Sequence, residues 1–387
     1  MPESRFSLNF TRPTNDILIV GGGLSGLINA IILNRAGFSV TVFERKSYPF
    51  HRVCGEYISN EVLPFFNSLD IHVKDLGASA ITRLEVTSVA GSRFSQQLPL
   101  GGFGISRFTL DHHLYQKAKS EGVTFHLNTK VEDVICKGEG FEVNANGAIY
   151  ASKLVIGSFG KRSNLDQKLN RPFFSKRSPY VGVKYHFKGD FPPDLIQLNN
   201  FKNGYAGIVS VENGVLCLCY LVHRDELKKY HSIQALEKQS MSKNPFLKQV
   251  FDTGEFLWAK PEVINEISFE KKQLIDNHIL MTGDTAGMIA PLCGNGMSMA
   301  IHSAKLLSET ITNFYNPSNF TNANRFLLEQ DYKKKWSKLF SNRLIVGRQL
   351  QKVFGNNLTT NIAINTLKMF PAVTEYLISK THGKPFK

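Results

Sequence analysis

The sequence predicts an α/β fold (α+β overall), in which a layered α/β domain is interrupted by a β-rich lobe and followed by a helical tail. Three observations predict it. The apolar run Ile17-Leu18-Ile19-Val20 stands before a glycine-rich turn and a helix-forming stretch. A second run, Val40-Thr41-Val42, ends at the acidic Glu44. Residues 173–261 carry alternating apolar and polar positions broken by turn signals. At 387 residues the chain is long enough for two lobes or for one large core with an inserted unit.

The elements follow in order. Four consecutive apolar residues at 17–20 read as a strand buried on both faces, residues 27–36 as a helix ended by Gly37, and residues 38–43 as a second strand, which together make one βαβ unit. Strands and turns are expected between Asp75 and Gly104, then a helix over 110–121 leading into a strand at 123–127. A hairpin-like pair, 130–136 with 140–144, precedes a buried strand at 154–156. In the β-rich lobe, residues 205–211 and 215–222 predict a hairpin across Glu212-Asn213-Gly214, because Asn-Gly readily takes the left-handed backbone of a tight turn. A strand at 279–281 meets Gly283-Asp284, and a helix runs from Met297 to about Phe314. In the tail, Trp336, Phe340, Leu344, Gly347, Leu350 and Phe354 keep near-helical spacing.

Composition narrows the class. With 42% hydrophobic and 20% charged residues, the chain is neither collagenous, nor coiled-coil, nor broadly disordered. The net charge of +14 suits an anionic cofactor, phosphates, nucleic acid or a membrane surface without choosing among them. The five cysteines form no CxxC pair, which excludes the common zinc and thioredoxin-like patterns and fits a reducing compartment. The uncharged stretch 17–34 is interrupted by Gly21, Gly22, Gly23 and Gly26, so it reads as strand, turn and helix rather than a membrane span. A cytoplasmic protein is expected, and no metal site, since His112 and His113 have no ligand cluster around them.

The motif Gly21-x-Gly23-x-x-Gly26 carries the first chemistry. Gly21 permits the tight turn, Gly23 lets the backbone approach a pyrophosphate, Gly26 allows helix to pack on strand, and the helix N-terminus favours negative charge. Ser25 lies inside this loop, and Glu44, followed by Arg45, is placed to accept hydrogen bonds from an adenosine ribose. Together these predict a Rossmann-like dinucleotide site.

A second motif occupies Leu280-Met281-Thr282-Gly283-Asp284-Thr285-Ala286-Gly287, continuing through Pro291-Leu292-Cys293-Gly294-Asn295-Gly296-Met297. It resembles the GD motif of the para-hydroxybenzoate hydroxylase fold, and within that fold the geranylgeranyl reductase family, whose Pro-Leu-x-Gly-x-Gly continuation it matches. The likeness covers most of the chain, including Arg52-x-Cys54-Gly55, Ser106-Arg107 with Asp111, and Tyr205-Ala206-Gly207. It implies bound FAD, with Asp284 after Gly283 on the ribityl chain, Arg52, Cys54, Gly55 and Arg107 close to the cofactor, and Pro291, Gly294, Asn295, Gly296 and Met297 along the isoalloxazine. A loop entering a helix at Met297 would aim backbone N–H groups at the flavin edge where reduction accumulates negative charge.

One departure concerns the electron donor. Where many relatives have Asp-Gly, this chain has Phe159-Gly160, so Gly160 is retained for FAD while NAD(P)H remains an open, transient donor. The fold's halogenases carry a Trp-x-Trp motif that is absent here, the only tryptophans being Trp258 and Trp336. Candidate catalytic residues are Cys54, near the flavin by the resemblance, and Glu56 and Tyr57 as proton donors to a substrate carbanion or a flavin-linked intermediate. Each also has a plain reading as a wall residue or small buried hydrophobe.

The resulting expectation is a discontinuous FAD-binding domain (1–75, 104–172 and 262–324), a β-rich substrate lobe (76–103 and 173–261) and a helical C-terminal region (325–387). The protein would be an FAD-dependent oxidoreductase acting on an apolar or aromatic small molecule by hydride transfer at a C=C bond. Its rival is a monooxygenase hydroxylating an aromatic or polyketide-like substrate through a flavin hydroperoxide. A flavin-binding interaction module without turnover is a third reading. Residues 325–387 hold 12 Lys and Arg against three Asp and Glu. A solvated face is the plain reading, peripheral membrane contact the functional one, and no nucleic-acid partner is expected.

Overall fold

The computed structural model of the protein describes residues 15–353, 360, 366 and 368–387. The chain opens with β1 (Asn15–Val20), α1 (Leu24–Arg35) and β2 (Val40–Phe43), the expected βαβ unit. Then come β3 (Tyr57–Ser59), α2 (Leu63–Ser68), β4 (Ser79–Thr87), β5 (Arg93–Gly104), α3 (Arg107–Ser120) and β6 (Thr124–His126). They are followed by β7 (Val131–Lys137), β8 (Gly140–Ala145), β9 (Ala148–Gly157) and α4 (Asn164–Lys168). The middle of the chain forms β10 (Tyr180–Lys188), β11 (Leu195–Phe201), β12 (Gly204–Ser210), β13 (Leu216–His223), α5 (Arg224–Tyr230), α6 (Ile233–Gln239) and α7 (Pro245–Thr253). The remainder is β14 (Glu255–Phe256), β15 (Glu262–Asn265), β16 (Ile275–Asp276), β17 (Ile279–Met281), α8 (Gly296–Phe314), α9 (Asn322–Val353) and α10 (Pro371–Thr381).

Two sheets organise these elements. In the first, β17, β9, β1, β2 and β6 lie side by side and parallel, with β16 antiparallel at the edge and the β7–β8 hairpin attached through β9. Parallel strands need crossovers that cover the sheet, and the fully buried Ile17, Leu18, Leu154 and Val155 have the continuous apolar character such strands require. Helices α1 and α8 pack together, and Ser308 Oγ donates to Asn29 Oδ1 at 2.9 Å. The order places β1 between β2 on one side and β9 with β17 on the other. The carboxyl ends of all four strands therefore open into one crevice, where α/β sheets bind ligands.

The second sheet runs β14-β10-β13-β12-β11-β4-β5-β3, with β15 also on β10. The expected hairpin is present as β12 and β13, joined by a turn in which Asn213 takes φ 58°. One face, through Val183, Tyr185 and Phe187, packs on Leu236, Met241 and Leu247 of the α5–α7 layer and the turn between α6 and α7. Side chains alternate along a strand, so Lys184 and His186 project from the opposite face.

The β reading of residues 173–261 fails over 224–253, where α5, α6 and α7 stand. Each helix is short and opened by its own cap: His223 accepts from Asp225 N, Ser232 from Ala235 N, and Asn244 from Phe246 N with Pro245 in the first turn. Two of the three helices span only seven residues, too few for an apolar face to repeat clearly.

The helical tail holds as α9 and α10, with Tyr332, Trp336, Phe340 and Leu344 buried; Phe354 of the predicted series lies outside the described residues. Tyr332 OH donates to Met281 O at 2.8 Å and Trp336 Nε1 to Ser303 Oγ at 3.2 Å, which fixes α9 against β17 and α8. No helix among the described residues is long and apolar enough to cross a membrane.

Candidate active site

The two glycine motifs meet. Gly21 takes φ 103°, and a Cβ there would stand 2.4 Å from Ser158 O; one on Gly26 would stand 2.0 Å from Gly21 O. Both approaches exclude any side chain. Gly283 packs so tightly on the first loop that its Cβ would lie 2.5 Å from Ser25 Oγ. Thr285 Oγ1 accepts from Gly160 N at 2.9 Å, tying the GD segment to the turn after β9.

Gly23 differs from its neighbours, since a Cβ there would meet only the Arg107 guanidinium at 3.7 Å. This open backbone beside a cation is the geometry a pyrophosphate requires. Arg107 is held by a bidentate pair with Asp111, 2.7 Å for each bond, and Arg52 reaches both Asp111 (3.2 Å) and Glu44 (3.1 Å). Glu44 is buried and accepts from Gly22 N at 3.0 Å and Lys46 N at 3.1 Å. Arg45 is exposed.

Three cations surround Asp284. Burial pushes its carboxyl up, with Lys272, Arg107 and Lys161 pulling against that. Burial brings Lys161 down to about 7 and Lys272 down to about 8, with Asp284 opposing in each case. Lys272 Nζ donates to Lys161 O (2.6 Å) and Asp284 O (2.7 Å), and among the described residues the Asp284 carboxylate makes no side-chain hydrogen bond. A half-buried acid among cations, with no side-chain hydrogen bond among the described residues, is available to accept from a hydroxyl-bearing ligand chain.

The loop at 291–296 enters α8. Pro291 is exposed and Met297 buried, while Gly294 is left-handed (φ 62°), its α-carbon facing the Tyr57 ring. Burial pushes the Tyr57 hydroxyl up. Asn295 Nδ2 donates to Thr381 O at 2.7 Å, and Phe386 stacks on His302 with ring centroids 3.9 Å apart. The end of α10 and the segment after it thus hold the N-cap of α8 and cover its first turns.

Cys54, Gly55 and Glu56 lie where the cofactor crevice meets the second sheet. The half-buried Cys54 thiol is pushed up by burial. Glu56 is fully buried with φ 56°, a left-handed backbone that glutamate rarely adopts. It accepts from Lys184 Nζ (2.5 Å) and Arg107 N (2.8 Å) and lies 2.6 Å from His186 Nε2. Against the cost of burial, Lys184 and His186 hold the Glu56 carboxyl down at about 2. At neutral pH it is therefore a carboxylate, able to accept protons and hydrogen bonds but not to donate them.

Beside this cluster is a cavity of about 220 Å³ lined by His51, Phe108, His186, Glu212, Val215 and Trp258, among others. His51 contacts Phe108 (4.7 Å between centroids), Trp258 (4.5 Å) and His186 (5.2 Å), which gives the cavity an aromatic wall. Burial, then the charge of Lys184, brings His51 down to about 4, so this ring is neutral at pH 7. Glu212 accepts from Ser106 N at 2.8 Å and caps α3 together with Glu56.

Sequence reasoning missed Lys184, His186, His51 and Trp258. A signal existed for the first two: polar residues at i and i+2 in an otherwise apolar strand share one face. His51 and Trp258 lie outside strands and helices and carry no motif.

Comparison with known proteins agrees with the cradle. A family model described as FAD binding domain matches residues 14–320. Conditioned medium factor receptor 1 of Dictyostelium discoideum is 24% identical over 369 residues, covering 84% of this chain and 69% of that protein. Kynurenine 3-monooxygenase of Christiangramia forsetii is 24% identical over 335 residues, covering 76% and 72%. Among solved structures, the flavin-dependent brominase Bmp2 superposes with a TM-score of 0.78 at 18% identity, over 97% of this chain and 95% of its own. A geranylgeranyl bacteriochlorophyll reductase-like protein from Thermoplasma acidophilum gives 0.76 at 17%, over 95% and 96%. At such identities the structural likeness shows the fold, and the model that spans 14–320 shows the family. The chain belongs to the FAD-binding-domain family and is an FAD-dependent oxidoreductase.

Proposed function

We propose that this oxidoreductase acts on an apolar or aromatic small molecule held in the cavity between the cofactor crevice and the second sheet, with hydride transfer at a C=C bond. The observation that carries this reading is the ring-lined cavity, whose walls come from the cofactor-binding segments (His51, Phe108), from the second sheet (His186) and from the loop after β14 (Trp258). The likeness to the reductase-like protein of Thermoplasma acidophilum over nearly the whole chain supports it.

In this reading Gly21, Gly23 and Gly26 receive the pyrophosphate with Arg107, Glu44 receives the adenosine ribose, Asp284 the ribityl chain, and the 291–297 loop the isoalloxazine. Bound FAD supplies the two-electron chemistry. The protein's own residues orient the ring system, screen it from water and carry charge: Arg107 and Lys272 offset the phosphates, and Glu56 fixes the start of α3 against the second sheet. NADH or NADPH is the proposed transient donor, read by bleaching of the flavin band under anaerobic conditions.

A second reading, ring hydroxylation, is favoured by the resemblance to kynurenine 3-monooxygenase. Turnover under ¹⁸O₂ separates the two. Product without label supports the hydride reading, and one labelled oxygen per product replaces it with the monooxygenase. The basic face of α9 is further proposed to meet an anionic membrane surface, since Lys333, Lys334, Lys335 and Lys338 are exposed beside the exposed Phe326 and Leu327.

A further inference from the structure

We propose that His186 is the residue that exchanges a proton with the molecule bound in the ring-lined cavity, and that Glu56 and Lys184 are positioning residues that fix its tautomer. The proposal rests on the cavity's being the substrate site of the flavin enzyme. Of the buried cluster, only His186 lines the cavity; Glu56 and Lys184 stand behind it.

The tautomer follows from hydrogen-bond chemistry. An ionised carboxylate only accepts, so the 2.6 Å contact between Glu56 and His186 Nε2 requires Nε2 to carry the hydrogen. The lone pair of the neutral ring is then on Nδ1. Lys184 Nζ, 2.5 Å from the other Glu56 oxygen, keeps that carboxylate charged and prevents it from rotating away, and Arg107 N bonds the same oxygen. Three groups, two from β10 and one from the start of α3, thus meet on one carboxylate, an arrangement that prepares a histidine for acid–base work.

The step balances without another reagent. A bound molecule with an acidic O–H or N–H loses that proton to Nδ1: one O–H or N–H bond breaks, one N–H bond forms, and the products are the anion and an imidazolium paired with Glu56. The reverse transfer delivers the proton to a developing carbanion. The groups facing His186 are Glu56 from the segment before β3, Lys184 from its own strand, Cys217 from β13, and His51 and Trp258 around the cavity. Glu212 lies across the cavity. Glu56 and Glu212 bring acidic groups toward the ring and Lys184 a basic one, and His51 is neutral at pH 7.

The test uses the flavin-loaded full chain and 4-nitrophenol, whose ionisation is visible, with 4-nitroanisole as the ring that has no proton to give. Released FAD is quantified first: a preparation that holds none overturns the cofactor reading, whereas the outcomes below bear on His186 alone. The expected result is that, at about pH 6, bound 4-nitrophenol is ionised about tenfold more than free probe, and that His186→Gln abolishes the excess while 4-nitroanisole binds both proteins alike. Absence of binding, or an unchanged ionised fraction in His186→Gln, overturns the proposal. Should that variant not fold, long-range ¹⁵N–¹H correlation on the unmodified protein decides: an Nε2–H ring at His186 supports the assignment, and an Nδ1–H ring removes it.

Discussion

At the level of single residues, the cofactor crevice and the cavity are linked through Glu56. Replacing it by Gln leaves the Lys184 ammonium buried without its counter-charge, and breaking one partner of such a pair costs about 3–5 kcal/mol. A fall of that size in denaturant unfolding free energy is expected for Glu56→Gln. Because the Glu56 carboxyl is held at about 2, below its unfolded value, the stabilisation is complete above the ordinary glutamate range and is lost as pH falls toward 2. For the cradle, Asp284→Ala and Gly23→Val are each expected to lower flavin content, the first by removing a half-buried acceptor and the second by filling the open backbone beside Arg107. Lys161 and Lys272 are cationic below about 7 and increasingly neutral above about 8. Their attraction for an anionic cofactor therefore weakens as pH rises through that window, and a flavin-release titration should show about tenfold weaker retention, about 1.4 kcal/mol.

Among the elements, α9 governs the GD segment without belonging to it. A Cβ on Gly287 would stand 3.3 Å from Trp336, so this ring closes directly over the turn that follows Asp284. Trp336→Ala should cost about 3–5 kcal/mol in unfolding free energy and lower flavin content together with it, measured on the same preparations. The parallel strands, the glycine loop and the Asn-Gly hairpin were legible because each rests on local rules, apolar runs and left-handed turns, whereas the meeting of the two distant motifs was legible only through the resemblance of the second to a known flavoprotein pattern. The polar centre was not. Lys184 and His186 alternate with apolar residues as solvent-facing positions would, and only the packing of the second sheet against the cofactor crevice turns that face inward. Nor could the sequence show that Glu56, read as a proton donor, would be fixed as an anion, since Lys184 comes from a strand far along the chain.

Taken whole, the molecule presents basic charge on one flank, with four exposed lysines on α9 beside exposed Phe326 and Leu327. Co-sedimentation with vesicles containing anionic lipid is expected at low salt, falling steeply as the screening length contracts, with none on neutral vesicles. Reversing Lys333, Lys334 and Lys335 to Glu should abolish it without change in flavin content. Retention of vesicle binding in that variant would exclude this flank as the contact. The same helix reaches inward through Trp336 and Phe340, while the last residue of α10, Thr381, holds Asn295 and the stretch beyond it lays Phe386 on His302. These contacts end on α8 or its N-cap, since Trp336 bonds Ser303 and Phe386 covers His302 while Thr381 holds Asn295. Lifting residues 381–386 would free the Asn295 amide and uncover His302, leaving the first turns of α8 without the cover that the end of the chain gives them.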